Sequence, residues 1–168
     1  PRERILAESQ RRNTAPCVAW AAYHVRAIDP EATMIVSPSD HVILREEVFS
    51  EAIRQGMDFV ESHPSLLTLG VKPTRAETGY GYIQIGDESL GAIRSVKTFT
   101  EKPNRELAQI FVDSGEFFWN SGIFIWKASS IIDAIGQYLP EVSMRFETCA
   151  DSFGHYESEP GAETTGCL

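Results

Sequence analysis

Trp119-Asn120-Ser121-Gly122 places polar side chains inside an apolar stretch, where each needs a partner or a ligand. Asn120 offers both a donor and an acceptor to a hydroxyl; equally, Asn120 can satisfy a turn and Ser121 can cap backbone. Thr100-Glu101-Lys102-Pro103 sets an acid beside a base where a strand must stop, because Pro103 has no amide hydrogen to continue it. Lys102 can neutralise a phosphate as a point charge and Glu101 can accept from hydroxyls; the plain alternative is a solvated ion pair. Gly79-Tyr80-Gly81-Tyr82 offers bare backbone beside aromatic walls, which suits close approach of a ring ligand, although glycine in a strand also marks bulges.

Asp40 follows a short apolar run that ends at Ser37-Pro38, and a carboxylate just beyond a strand's carboxyl end faces the crevice where open α/β sheets bind ligands. There it can hold magnesium together with phosphate oxygens, or serve simply as a loop or capping residue. His41 beside it reads as a structural, hydrogen-bonded histidine. Arg12-Asn13-Thr14-Ala15-Pro16 leads into a helix N-terminus, whose free amides favour polar or anionic ligands; helix capping by Thr14 accounts for part of that string.

The elements that must position these residues follow from periodicity. Val18, Ala21, Ala22, Val25 and Ile28 predict a helix at about 15 to 28, and Thr33 to Ser37 a central parallel strand buried on both faces. Glu46 to Ser62 predicts a helix and Leu66 to Val71 a second buried strand, so helix and strand alternate as in an α/β sheet covered on both faces. Residues 79–85 and 93–100 predict an antiparallel excursion with a turn around Gly86-Asp87-Glu88. Asn104 caps a helix to about Asp113, ending at Ser114-Gly115; Ile123 to Trp126 forms a strand and 129–138 a helix. Beyond Pro140 the pattern weakens, which divides the chain into a domain over 1–150 and a polar tail over 151–168.

A length of 168 residues suits one domain with a real core, and a 42% hydrophobic, 23% charged composition is that of a folding sequence. The net charge of −9 opposes general attraction to nucleic acid or anionic lipid, so any phosphate must be held locally. Cys17, Cys149 and Cys167 are far apart and match no metal-binding spacing, which fits a reducing cytosol. No stretch approaches the roughly 20 apolar residues of a membrane span, and no Gly-x-Gly-x-x-Gly follows a strand, which sets aside a dinucleotide-dependent oxidoreductase.

In order and spacing, Arg12-Asn13-Thr14-Ala15-Pro16, Pro38-Ser39-Asp40-His41, Leu69-Gly70-Val71-Lys72-Pro73-Thr74, Glu77-Thr78-Gly79-Tyr80-Gly81-Tyr82-Ile83, Phe99-Thr100-Glu101-Lys102-Pro103 and Trp119-Asn120-Ser121-Gly122 together resemble the mannose-1-phosphate guanylyltransferases of the sugar nucleotidyltransferase family, over roughly Ile5 to Val142. The resemblance implies a Rossmann-like nucleotidyltransferase sheet flanked by helices, and transfer of GMP from GTP to mannose 1-phosphate with magnesium, giving GDP-mannose and pyrophosphate. By the same resemblance Asn13 and Thr14 lie at the guanine and Asp40 binds the metal. Gly81, Glu101 and Asn120 contact the mannose, and Lys102 holds its phosphate. A cytoplasmic enzyme is implied, and a homodimer is admitted.

Two departures accompany the match. The family's glycine-rich strand-to-helix loop does not occur before Ile5, and its second metal-binding Asp is not found after Val142. The expectation is therefore the central portion of such an enzyme, incomplete at the N-terminus. The alternatives are a noncatalytic sugar-nucleotide-binding or assembly module, and a related pyrophosphorylase with another base or sugar.

Overall fold

A computed structural model describes residues 5–8, 12–149 and Phe153. The polar stretch expected over 151–168 lies, apart from Phe153, outside the described residues. The chain divides into two compact units, one of residues 1–36, 53–66 and 125–168, the other of residues 37–52 and 67–124.

In the first unit, helix α1 (Thr14–Ile28) packs on α4 (Ala128–Tyr138) and α5 (Pro140–Glu147). Val18, Ala19, Trp20, Ala22 and Tyr23 of α1 are buried, as are Ala128, Ile131, Ile132 and Ile135 of α4. Each large apolar side chain so buried contributes about 1.5–3 kcal/mol relative to exposure. Tyr23 stacks on Phe146 with ring centroids 5.4 Å apart, and its hydroxyl donates to Glu147 Oε1 at 2.6 Å. Burial, with that bond to Glu147, pushes the Tyr23 phenol up from its ordinary value.

Helix α5 is a departure from the fading pattern expected after Pro140. Pro140 opens it at a position where the missing amide hydrogen costs nothing, and Glu141 and Arg145 lie at the termini that favour their charges. Only Phe146 of this helix is buried, so a single anchor replaces the apolar stripe by which such a helix is recognised.

The second unit is built on β2 (Leu67–Val71), β3 (Tyr82–Leu90), β4 (Ile93–Thr100), α3 (Arg105–Ser114) and the greater part of β5 (Phe117–Lys127). β3 pairs antiparallel with β4, Tyr82 opposite Thr100, and with β5, Tyr82 opposite Trp119. α3 begins at Asn104, whose side chain accepts from the Leu107 amide at 2.9 Å, and ends at Gly115 with φ of 71°. Its Ala108 and Phe111 close a core with Tyr82, Phe117 and Trp119, in which Phe111 and Phe117 stack at 3.9 Å.

Three expectations about strands are corrected. The hydrogen-bonded order is β1 (Thr33–Val36), β5, β3, β4, with β2 also paired to β5, so β1 ends the described path and Ile35 is exposed. A short apolar run reports strand propensity, not coverage on both faces. β3 runs through Gly86-Asp87-Glu88 to Leu90, and the reversal falls at Gly91, φ 62°. Register shifts between Gln84 and Ser89, where Gly86 lies against Ser95, absorb the glycine as an irregularity in the ladder. Finally, the strand expected over Ile123 to Trp126 already begins at Phe117, so Trp119-Asn120-Ser121-Gly122 lies in the middle of β5.

Candidate active site

The middle of β5 is irregular because Gly122 adopts φ of 71°, a backbone that residues with a side chain rarely take. Gly122 donates its amide to Asn120 Oδ1 at 3.1 Å, and Ile123 donates to Ser121 Oγ at 3.1 Å. Ser121 Oγ in turn donates to the Leu69 carbonyl at 2.7 Å, so its hydroxyl is occupied within the protein. For Ser121 the structural alternative holds. Asn120 differs, since only its oxygen is engaged: Thr68 Oγ1 donates to the same Oδ1 at 3.1 Å. Among the described residues nothing bonds Asn120 Nδ2.

Antiparallel pairing carries Gly81 to this point. The Asn120 amide donates to the Gly81 carbonyl at 2.8 Å, and a Cβ placed on Gly81 would lie 3.6 Å from Asn120 Cβ and 2.9 Å from Glu101 Oε2. Glu101 arrives just past the end of β4, where Thr100 pairs with Tyr82. Three of the residues singled out from sequence, Gly81, Glu101 and Asn120, therefore converge: a carboxylate that accepts and an amide that donates flank bare backbone.

Lys102 joins them. Its Nζ lies 3.3 Å from Glu101 Oε1 with both side chains well exposed, and its φ is 41°. A lysine in that region, directly before a buried proline, is strained by about 1–3 kcal/mol, a cost that clusters at functional sites. An exposed ion pair contributes too little to explain it.

The loop leading to Gly81 is organised by Glu77, a residue to which sequence reasoning gave no role. Its Oε1 accepts the Thr78 and Gly79 amides at 3.0 and 3.1 Å, and its Oε2 accepts Arg75 Nε and a terminal guanidinium nitrogen at 3.2 and 3.0 Å. Its backbone amide and carbonyl both bond the Tyr82 hydroxyl. The Gly79 amide, then Arg75, hold the Glu77 carboxyl below its ordinary value. Arg75 also sits 5.5 Å over the Trp119 ring, against which Tyr80 packs edge-on at 5.3 Å. The signal available in sequence was Glu77 two residues before a Gly-x-Gly, the spacing of a side chain folding back on following amides.

Asp40 lies in the same unit on an exposed turn, its side chain 87% accessible and 4.0 Å from His41 Nε2. The turn is tied to β5 through Pro38, whose Cγ is 3.3 Å from where a Cβ on Gly122 would stand. No cluster of three acidic, histidine or cysteine side chains suited to a metal occurs among the described residues. Asp40 alone suits the open kind of magnesium site, in which one carboxylate shares the ion with water and phosphate.

Asn13 and Thr14 belong to the first unit. Asn13 precedes α1 with φ 71° and ψ −176°, a conformation that is almost confined to glycine, and its side chain makes no capping bond. Thr14 is the first helical residue and not the cap expected of it.

No helix among the described residues is long and apolar enough to cross a membrane. The nucleotidyl transferase family profile matches residues 2–152. The chain is 41% identical over 146 residues to a mannose-1-phosphate guanylyltransferase of Escherichia coli K12, which covers 83% of this chain and 30% of that protein. It is 35% identical over 154 residues to a putative mannose-1-phosphate guanylyltransferase of Vibrio cholerae, covering 92% of the chain and 33% of the relative. The chain thus spans about a third of the length of these curated relatives. Among solved structures, one described as a mannose-1-phosphate geranyltransferase from Thermus thermophilus superposes with a TM-score of 0.83 at 26% identity, covering 98% of this chain and 45% of that one. A second, described as a mannose-6-phosphate isomerase from Helicobacter pylori, gives 0.73 at 32% identity over 86% of this chain and 53% of that one. With the profile spanning nearly the whole sequence, the chain belongs to the nucleotidyl transferase family.

Proposed function

We propose that the protein transfers GMP from GTP to mannose 1-phosphate, giving GDP-mannose and pyrophosphate. The observation that carries this reading is the convergence of Gly81, Glu101 and Asn120, with Lys102 at its rim. A hydroxyl-rich ring needs donors and acceptors close to bare backbone, and its phosphate needs a cation nearby; this cluster offers all three. The named relatives supply the sugar and the base.

In the reaction an oxygen of the sugar phosphate forms a bond to the α-phosphorus of GTP while the bond from that phosphorus to pyrophosphate breaks. Both reactants are anions, so catalysis rests on holding them in line and offsetting their repulsion. Gly81, Glu101 and Asn120 orient the sugar, and Lys102 neutralises its phosphate. The strained backbone at Lys102 sets where that side chain leaves the chain. Asn13 and Thr14 bind the base, consistent with an Asn13 side chain left uncommitted by helix capping. Asp40 would hold magnesium, which would offset charge on the nucleotide phosphates. Soluble substrates and product suit a cytoplasmic enzyme.

The test is an assay of full-length protein with GTP, mannose 1-phosphate and magnesium, alongside a panel of other nucleotides. GDP-mannose and pyrophosphate formed in equal amounts support the reading. Product with another base redirects it to a related pyrophosphorylase. Binding of GDP-mannose with no turnover on any nucleotide overturns it in favour of a noncatalytic module.

A further inference from the structure

We propose that Thr68, on β2, is a positioning residue that fixes the Asn120 amide so that Asn120 meets the sugar only as a hydrogen-bond donor; this rests on the sugar-site reading above.

An asparagine amide has two ends of nearly equal shape, and which one faces a ligand is set by its neighbours. At Asn120 two donors converge on one end. The Gly122 amide can only donate, and it lies 3.1 Å from Oδ1, so that end is the oxygen. Thr68 Oγ1 lies 3.1 Å from the same oxygen and 3.2 Å from the Ile123 carbonyl. Oxygens this close repel unless a proton lies between them. The single hydroxyl hydrogen is therefore shared between Asn120 Oδ1 and the Ile123 carbonyl.

With both of those donors on Oδ1, rotating the amide by half a turn would set its NH2 against the Gly122 amide and leave the Thr68 proton without this acceptor. Both losses fall in a half-buried setting, where an unmade hydrogen bond is costly. The NH2 group, which nothing among the described residues bonds, is thereby held for a ligand oxygen. Glu101, acceptor only, stands on the other side of Gly81. The pair consequently selects a ligand with one oxygen that accepts and one hydroxyl that donates, as neighbouring hydroxyls of a sugar do. Removing the Thr68 hydroxyl leaves the amide held by Gly122 alone, and a flipped amide would present its oxygen to a ligand already facing the Glu101 carboxylate.

The experiment compares Thr68→Val, Thr68→Ser, Asn120→Ala and the Thr68→Val/Asn120→Ala double variant in full-length protein by steady-state kinetics. Thr68→Val is expected to raise KM for mannose 1-phosphate about tenfold, as loss of one well-placed bond does. Its kcat and its KM for GTP stay within about twofold, and Thr68→Ser, which keeps the hydroxyl, restores the wild-type KM. In the Asn120→Ala background Thr68→Val has no further effect, because it acts only through that amide. Thr68→Ala carries the same expectations and guards against a packing failure of valine. An unchanged KM in the folded Thr68 variants, or an equal rise with Asn120 already removed, overturns the inference. If Asn120→Ala itself leaves KM for mannose 1-phosphate unchanged, the sugar-site reading fails instead.

Discussion

Gly81 and Glu101 stand so close that a single methyl group on Gly81 would come within 2.9 Å of Glu101 Oε2. Real side chains do not tolerate that separation, so Gly81→Ala must displace one of them. The atom in the way is the far end of a flexible, exposed carboxylate, and it moves at little cost. Stability is expected to fall by no more than about 1 kcal/mol, while KM for mannose 1-phosphate rises tenfold or more. Chemical denaturation and kinetics on one preparation separate the two; a large stability loss with normal KM would return Gly81 to a purely structural role.

What could be read from sequence here depended on how local the cause was. Asn104 and Gly115 bound α3 through contacts within one turn, and both were legible. Gly81, Glu101 and Asn120 were named from residue type and order, yet their meeting is made by the register of β3 against β4 and β5, which no short window contains. Thr68 bonds Asn120 across 52 positions and carries no local mark of it. The extension of β3 past Gly86 has no clear mark in sequence, because glycine signals a turn as readily as a ladder irregularity. α5 is not legible in sequence because one buried phenylalanine makes no period.

Glu77 makes the Gly79 to Gly81 loop sensitive to acid. Its carboxyl is held below the ordinary 4.5 by the Gly79 amide and Arg75, so the folded state favours the ionised form more than the unfolded chain does. The contribution is therefore fully present above the ordinary value and is lost as pH falls through the depressed one. The Thr78 and Gly79 amides are expected to lose protection from solvent exchange only as pH falls below the ordinary glutamate value and through the depressed one. In Glu77→Gln that dependence disappears. Residue-resolved backbone amide exchange measured from pH 6 to pH 3 checks this, and equal profiles for both proteins would reject it.

Asp40 separates catalysis from stability. Its side chain is 87% accessible and lies 4.0 Å from His41 Nε2, so Asp40→Asn is expected to change stability by less than about 0.5 kcal/mol. If Asp40 holds magnesium, turnover of the full-length protein falls a hundredfold or more, with partial recovery at raised magnesium. A shifted melting temperature with normal turnover would show the residue to be structural.

Gly122 is the opposite case, a residue whose replacement is expected to cost both. A φ of 71° penalises any side chain by roughly 1–2 kcal/mol, and a methyl there also meets Pro38 Cγ at 3.3 Å. Pro38 is a ring held within the chain and cannot swing aside as the Glu101 carboxylate can, so the turn carrying Asp40 must shift with it. Backbone relaxation at position 122 would also move the amide that orients Asn120. Gly122→Ala is expected to lower unfolding free energy by about 1–2 kcal/mol, to raise KM for mannose 1-phosphate and to reduce kcat together. Gly122→Asn, whose residue type enters the left-handed region more readily, recovers part of the stability but not the clearance from Pro38. If Gly122→Ala loses stability while both kinetic constants hold, the tie between β5 and the Asp40 turn has no bearing on catalysis.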